Sequence, residues 1–356
     1  MSRLKGLYIL DEASFPLIYG PAERRAIEQH VDMIAPPQSR QSILQNMKLL
    51  ESVEVIFSGW GAPKLDQRFM ACAPKFKAFF YGAGSVGYCL TDAFWDRDIT
   101  ITSSITANSI PVAEFTLANI LLSLKQNWRL ARETREQRAF VPRDHAFGRM
   151  IPGNFGSTVG LISLGSISRI LIKLLKPFDL EIVAYDPFVS PGEAREMGVQ
   201  LVSFPELFAR ADVVSVHTPV LNETRGMITG VHLASMKSGS TFINTARGEI
   251  VREPEMIEVA QQRPDLQFIL DVTDPEPPLP HSPLFTLPNV ILTPHIAGSA
   301  GGECRRMGRY MAEELERYLA GEPLKWPVPK PIRSNNSVTV STFLKPAMKK
   351  PTVINT

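Results

Sequence analysis

One short segment has the composition of an anion cradle. Thr158-Val-Gly160-Leu-Ile-Ser163-Leu-Gly165-Ser-Ile-Ser168-Arg169 runs from a β-branched stretch into a helix-like one. At such a junction the backbone N–H groups of the first helical turn face outward, and the helix dipole favours negative charge there. The dinucleotide fingerprint asks for glycine where Ser163, Gly165 and Ser168 stand, and only the middle glycine is kept. That glycine is the one whose side chain would collide with a pyrophosphate. Asp186 closes the next apolar run, about 20 residues further on, where a carboxylate can accept a ribose 2′-hydroxyl and repel a 2′-phosphate. Asp186-Pro-Phe188 offers no arginine to such a phosphate, which favours NAD over NADP. The same residues would also serve a plain strand-to-helix turn with Asp186 capping a loop, and Ser163 and Ser168 leave the affinity for a dinucleotide open.

The surrounding pattern predicts the scaffold. Val159–Leu164, Leu180–Tyr185, Val213–His217, Thr241–Asn244, Phe268–Val272 and Val290–Leu292 are short and apolar nearly throughout. Between them Ile167–Lys176, Pro205–Ala209, Val231–Met236 and Pro254–Gln262 carry helical spacing or caps, with Ser203-Phe-Pro-Glu206 as a capping-box pattern. Such strands, separated by helices, predict a parallel sheet covered on both faces by right-handed crossovers. The N-terminal region repeats the alternation, with strands at Leu7–Leu10, Val53–Phe57 and Phe76–Tyr81 and helices at Pro21–His30 and Pro63–Met70. A long amphipathic helix from Pro111 to about Arg138 links the two regions, and another from Gly302 to Leu319 can return the chain to the first. Residues 331–356, with Pro331, Pro346 and Pro351 among polar residues, read as a tail outside the core.

Further segments carry a family resemblance. Val216-His-Thr-Pro219 with Glu223-Thr-Arg-Gly-Met-Ile228, Phe242-Ile-Asn-Thr-Ala-Arg247-Gly248, Leu270-Asp271-Val-Thr-Asp-Pro-Glu276-Pro277 and Leu292-Thr-Pro-His295-Ile-Ala-Gly298 resemble, in this order, the D-isomer-specific 2-hydroxyacid dehydrogenases. The likeness runs from roughly Tyr81 to Pro327. It implies an α/β fold of two doubly wound parallel-sheet domains. A Rossmann-type NAD domain, 111–298, is inserted into a smaller flavodoxin-like substrate domain, 1–110 with 299–330. It also implies NAD as cofactor, a homodimer built through the nucleotide domain, and hydride transfer between NAD(H) and a small D-2-hydroxy acid or its 2-oxo acid.

The residue types suit that reaction. Reduction of a 2-oxo acid needs a hydride on carbon, a proton on oxygen and a held carboxylate. The resemblance makes His295 the proton donor, and an imidazole, with an ordinary pKa of about 6.5, both gives and takes a proton near neutrality. Glu276 would hold the other ring nitrogen, and Arg247 would fork onto the substrate carboxylate and polarise the carbonyl. The resemblance further places Ser166 and Ile167 beside Gly165 at the pyrophosphate, Thr218, Thr245 and Ala246 beside the nicotinamide, and Asp271 on its carboxamide. Gly298 closes the cofactor side. Tyr81-Gly-Ala-Gly-Ser-Val-Gly87 matches the family's loop whose amides meet the substrate carboxylate, with Ala83, Gly84, Ser85 and Val86 as candidates. His217, ending a strand, lines the cofactor cleft.

Departures from the family pattern narrow the substrate. Ile56-Phe-Ser58-Gly59-Trp60-Gly61 has no cation where phosphoglycerate enzymes carry arginines, so an unphosphorylated substrate is expected, with Trp60 as an apolar or sugar-like wall. Trp60 could equally pack into its domain core. Tyr88-Cys-Leu-Thr-Asp-Ala-Phe-Trp95 carries extra bulk. Glu276, in place of glutamine, argues against a formate dehydrogenase. The rival reading is an NAD-sensing scaffold or corepressor on the same fold. Lys+Arg 38 against Asp+Glu 36, a net charge of +2, is too balanced for a chain that mainly grips nucleic acid. No apolar run approaches the ~18 residues of a membrane helix. The three cysteines fit neither a disulfide framework nor a metal site, which points to a reducing cytoplasm.

Overall fold

The computed structural model describes residues 3–142, 151–330, 332–334 and 337–339. The chain divides into two compact units, Met1–Ser109 with Ser299–Thr356, and Ile110–Gly298.

The first unit is built on five parallel strands: β1 Leu4–Ile9, β2 Val31–Met33, β3 Val55–Ser58, β4 Ala78–Tyr81 and β5 Thr100–Ser103. Their order, β2-β1-β3-β4-β5, is that of flavodoxin-like sheets. Strands β3 and β4 are buried along their whole length and feed two apolar layers, one on each face. Sequence patterning misses β2 and β5, which form the two edges. An edge strand needs no continuous apolar run, and Thr100-Ile-Thr-Ser103 has none. Helix Cys304–Ala320 sets Cys304, Met307, Met311 and Leu315 on one stripe against Tyr8, Phe57 and Phe80. The chain beyond it is pinned by Glu314, wholly buried, whose carboxylate accepts from the amides of Lys325 and Trp326 and from Arg317.

The second unit holds seven parallel strands: β6 Ser157–Ile162, β7 Leu180–Tyr185, β8 Gln200–Leu201, β9 Val213–Val216, β10 Thr241–Asn244, β11 Gln267–Leu270 and β12 Val290–Leu292. Their order, β12-β11-β10-β9-β6-β7-β8, reverses direction between β6 and β9, the Rossmann switch point. Apolar layers again cover both faces. Each strand except the short edge strand β8 stops within a residue or two of a candidate site segment, so the carboxyl edge of this sheet presents them.

The linking helix needs a correction. It begins at Ile105, six residues before Pro111, and ends at Leu124, and a second helix spans Asn127–Gln137. Burial of Ala107, at 0% exposure, draws in the early turns and outweighs proline's preference for a first turn. Gln126, at φ +52°, breaks the run. Helix Ile105–Leu124 is also long and apolar enough to cross a membrane by length and composition, contrary to the sequence expectation. Its Ala113, Ile120 and Leu124 are buried in the core of the second unit. Of the expected tail, Ile332–Ser334 pairs antiparallel with Ser337–Thr339, and the rest lies outside the described residues.

Candidate active site

Two side chains of the second unit are set by its strand ends. Glu276 lies in the loop after β11 and His295 in the loop after β12. His295 Nδ1 and Glu276 Oε1 are 2.6 Å apart, and both side chains remain about two-fifths exposed, at 43% and 41%. Donation from Nδ1–H to the carboxylate leaves Nε2 as the nitrogen able to exchange a proton.

His295 adopts φ +56°, a conformation that non-glycine residues hold only when their surroundings over-determine it. Asp271 does this. Its carboxylate is 1% exposed and accepts from Thr293 Oγ1 at 2.6 Å, Ile296 N at 2.9 Å and Ala297 N at 2.9 Å. Its carbonyl accepts from His295 N at 3.0 Å. The structure therefore gives Asp271 the task of shaping the histidine turn, beside the carboxamide contact that the resemblance implies.

The Glu276 loop is held by residues that motif reading passed over. A Cβ on Gly248 would lie 2.0 Å from the Thr273 carbonyl carbon, so only glycine lets the Arg247 turn pack on this backbone. Glu253, 9% exposed, accepts from Asp274 N at 2.9 Å, and burial raises its pKa. Arg247 itself is exposed, with Nη1 donating to Ala246 O at 2.6 Å. Asn244 shapes this turn from both sides, donating to Arg247 O at 2.9 Å and accepting from Ala246 N at 3.0 Å. Asn244 and Gly248 stood within the quoted segment, but only a three-dimensional contact reveals their work.

At the switch point the carboxyl ends of β6 and β9 are joined by Ser163 Oγ and Thr218 Oγ1, 2.8 Å apart. Ser163 adopts φ +74°, the left-handed conformation for which the fingerprint's first glycine is used. Its amide donates to Tyr185 O at 2.9 Å, and its carbonyl accepts from Ser168 Oγ at 2.5 Å. The two serines that depart from the fingerprint are thus one device: the hydroxyl at the third position supports the strained residue at the first.

Residues 117–297 match the D-isomer specific 2-hydroxyacid dehydrogenase, NAD binding domain, family. Among curated relatives, D-3-phosphoglycerate dehydrogenase of Mycobacterium leprae is 34% identical over 262 residues, 73% of this chain and 48% of that protein. The chain thus spans about half the length of that relative. (S)-sulfolactate dehydrogenase of Chromohalobacter salexigens is 31% identical over 261 residues, 72% of this chain and 82% of that one. The solved structure of D-mandelate dehydrogenase from Rhodotorula graminis shares the fold, with a TM-score of 0.76 at 24% identity over 92% of this chain and 98% of that one.

This chain belongs to the D-isomer specific 2-hydroxyacid dehydrogenases.

As a member of that family it carries an NAD-binding domain, and the residues at the switch point fit the dinucleotide. Gly165 caps helix Ser166–Leu175 with no side-chain cap, and a Cβ there would meet nothing within 4 Å, so the helix start is open for a phosphate. Asp186 is turned onto this junction: it accepts from Leu164 N at 2.8 Å and from Phe188 N at 2.8 Å. Folding also brings an arginine to this turn. Arg169 donates to Leu164 O at 2.9 Å, but its charge is taken by Glu193 at 2.6 Å, which leaves the acidic character of Asp186 in place. His217 is 7% exposed, with Nε2 on Ser215 Oγ at 3.0 Å and a buried Nδ1 that has no protein partner. Burial pushes its pKa down to about 3, so the ring stays neutral. Thr218, Thr245 and Ala246 are nearly buried, at 4%, 6% and 8% exposure, while Gly298 is half-buried.

In the first unit Ala83 and Val86 turn their side chains into the core, Gly84 is buried, and Ser85 is exposed. Trp60 is half-buried and packs against both apolar layers of that unit. Its carbonyl accepts from Asp11 N at 2.9 Å, which joins the loops after β1 and β3 at the switch point of this sheet. Among the described residues no group of three His, Cys, Asp or Glu could hold a metal ion.

Proposed function

We infer that the protein is an NAD(H)-dependent oxidoreductase interconverting a small, unphosphorylated D-2-hydroxy acid and its 2-oxo acid. The observation that carries this is the 2.6 Å His295–Glu276 pair in the NAD-binding domain, held by the buried Asp271. In reduction, the His295 imidazolium, stabilised by Glu276 through Nδ1–H, gives its Nε2 proton to the carbonyl oxygen and is left as the neutral ring. Arg247, exposed and without an ion-pair partner among the described residues, holds the substrate carboxylate and polarises the carbonyl. The dinucleotide, when bound, supplies or accepts the hydride. Gly165, Ser166 and Ile167 hold its pyrophosphate and Asp186 its ribose, while Thr218, Thr245, Ala246 and Gly298 border the nicotinamide. Trp60 and the backbone of Ala83, Gly84, Ser85 and Val86 form the wall that faces the substrate side chain and carboxylate.

Residues 58–62 and 82–88 contain no Lys or Arg, which supports an uncharged side chain on the substrate. One observation favours a second reading. Burial raises the Tyr88 pKa, and the charge of Arg40, which opens helix Arg40–Gln45, pulls weakly the other way, so a cation stands in the surroundings of this hydroxyl. A substrate bearing a second anion would use it. Phe140 and Phe155, 92% and 85% exposed in the second unit, support a homodimer, and three unpaired thiols support a reducing cytoplasm.

NADH oxidation by the full chain, followed with glyoxylate, hydroxypyruvate, its 3-phospho ester, pyruvate and sugar-derived 2-oxo acids, tests the reading. Turnover of an unphosphorylated acid is expected. Preference for the phospho ester selects the Arg40 alternative, whereas bound NADH with no turnover on any acid returns the protein to an NAD-sensing role. His295→Ala should lower kcat by about 10²-fold or more while the NADH dissociation constant changes by less than about threefold.

A further inference from the structure

The loops at the carboxyl edge of the first sheet are tied together by a relay of two phenols that the family resemblance does not supply. Tyr81, the last residue of β4, has 0% exposure, and its hydroxyl lies 2.7 Å from that of Tyr88. Tyr88 in turn donates to Gly59 O at 3.2 Å. The only directional order that satisfies both bonds runs from Tyr81 to Tyr88 to Gly59. Gly59 O also accepts from Ala62 N at 3.2 Å, so the hydroxyl of Tyr88 joins the bond that closes the Trp60 turn.

The two loops touch directly beneath this relay. Gly82 N donates to Ser58 O at 2.8 Å. A Cβ on Gly82 would lie 3.2 Å from Ser58 O, tighter than ordinary contact, so the two loop backbones approach closely here. The Tyr88 ring is 43% exposed and meets Tyr81 edge-on at 6.3 Å. Packing alone therefore holds it on one side, and its hydroxyl fixes the rest. Burial keeps that hydroxyl protonated and able to donate.

We propose that Tyr88 is a positioning residue that clamps the Gly59–Gly61 turn to the Gly82–Tyr88 loop and thereby sets the width of the wall that selects the substrate side chain. This rests on reading these loops as that wall. Trp60 stands on the clamped turn and Ser85 on the clamped loop, so a loosened clamp moves both relative to each other. The substrate class this favours is a 2-oxo acid whose side chain fills a fixed aromatic-walled slot, and discrimination between side chains of different width follows from the clamp.

Tyr88→Phe in the full chain keeps the ring and deletes only the relay. In the ligand-free protein, amide hydrogen exchange at residues 60–62 should accelerate about tenfold, the equivalent of one neutral hydrogen bond. KM for the best 2-oxo acid should rise about tenfold, with kcat and the NADH dissociation constant within about twofold. Tyr81→Phe, which leaves the Gly59 bond in place, should give a smaller change in both, and this arm decides the matter if Tyr88→Phe does not fold. Unchanged exchange and KM, or a fall in kcat equal to that in kcat/KM, overturns the proposal. If the unmodified protein reduces no 2-oxo acid, the functional reading fails, and the exchange arm still decides whether the clamp exists.

Discussion

His217 shows how burial alone sets a residue's chemistry. The ring closes β9 at 7% exposure and stays neutral down to about pH 3, whereas in the unfolded chain a histidine takes a proton below about pH 6.5. Between those values the unfolded state binds the extra proton, so this residue's contribution is complete above pH 6.5 and is lost as the pH falls. The limit is about 1.4 kcal/mol per pH unit, or roughly 2 kcal/mol between pH 7 and 5. Urea unfolding of the unmodified protein and of His217→Gln at both pH values checks this. The variant should lose roughly 2 kcal/mol less on acidification, and parallel losses would show that the ring is not held neutral. The same scale governs His295, whose positive φ is imposed by three side-chain acceptances of Asp271 rather than by local preference.

At the scale of an element, the turn from β6 into helix Ser166–Leu175 answers its own irregularities. Ser163 carries the strain of a left-handed conformation, worth about 1–2 kcal/mol, and Ser168 Oγ and Thr218 Oγ1 offset it. Restoring the fingerprint residue with Ser168→Gly should therefore destabilise the protein, by about 1–2 kcal/mol from the lost hydrogen bond and from glycine inside a helix. Thermal unfolding reads this directly, and a raised Tm would refute the pairing of the two serines. Gly165→Ala tests the other half of the turn. Open space around the added Cβ predicts an unchanged Tm in the free protein. Calorimetric titration should show NADH bound at least about tenfold more weakly, since forced overpacking against the pyrophosphate costs roughly 1–3 kcal/mol. Equal affinity would move the pyrophosphate away from this helix start.

For the whole molecule, the open question is how many copies work together. Phe155 exposes 85% of its surface on the second unit, near Pro177 and Phe178. A phenyl ring left in water forgoes about 2 kcal/mol of burial. Sedimentation at micromolar concentration should give a dimer, and Phe155→Asp should weaken its dissociation constant by roughly thirtyfold without lowering Tm in the monomer range. A dimer indifferent to this change places the contact elsewhere.

Much of the scaffold was legible in residue order alone. Strands β7, β10 and β12 span the residues that apolar patterning marked, because each sends apolar side chains to the layers on both faces of the sheet. The motif segments likewise marked Glu276 and His295, which the fold brings to 2.6 Å. Edge β2 was hidden because only Val31 of its three residues is buried, edge β5 because its buried positions include Thr102 and Ser103, and the early start of helix Ile105–Leu124 because its first turns answer to a distant core. What only folding decided is how the groups depend on one another: Ser168 on Ser163, Asp271 on the histidine turn, Glu253 on Asp274, Tyr88 on Gly59. Each is a hydrogen bond between residues whose roles no periodicity encodes. A residue's type states which bonds it can make, and only the packed chain states with whom.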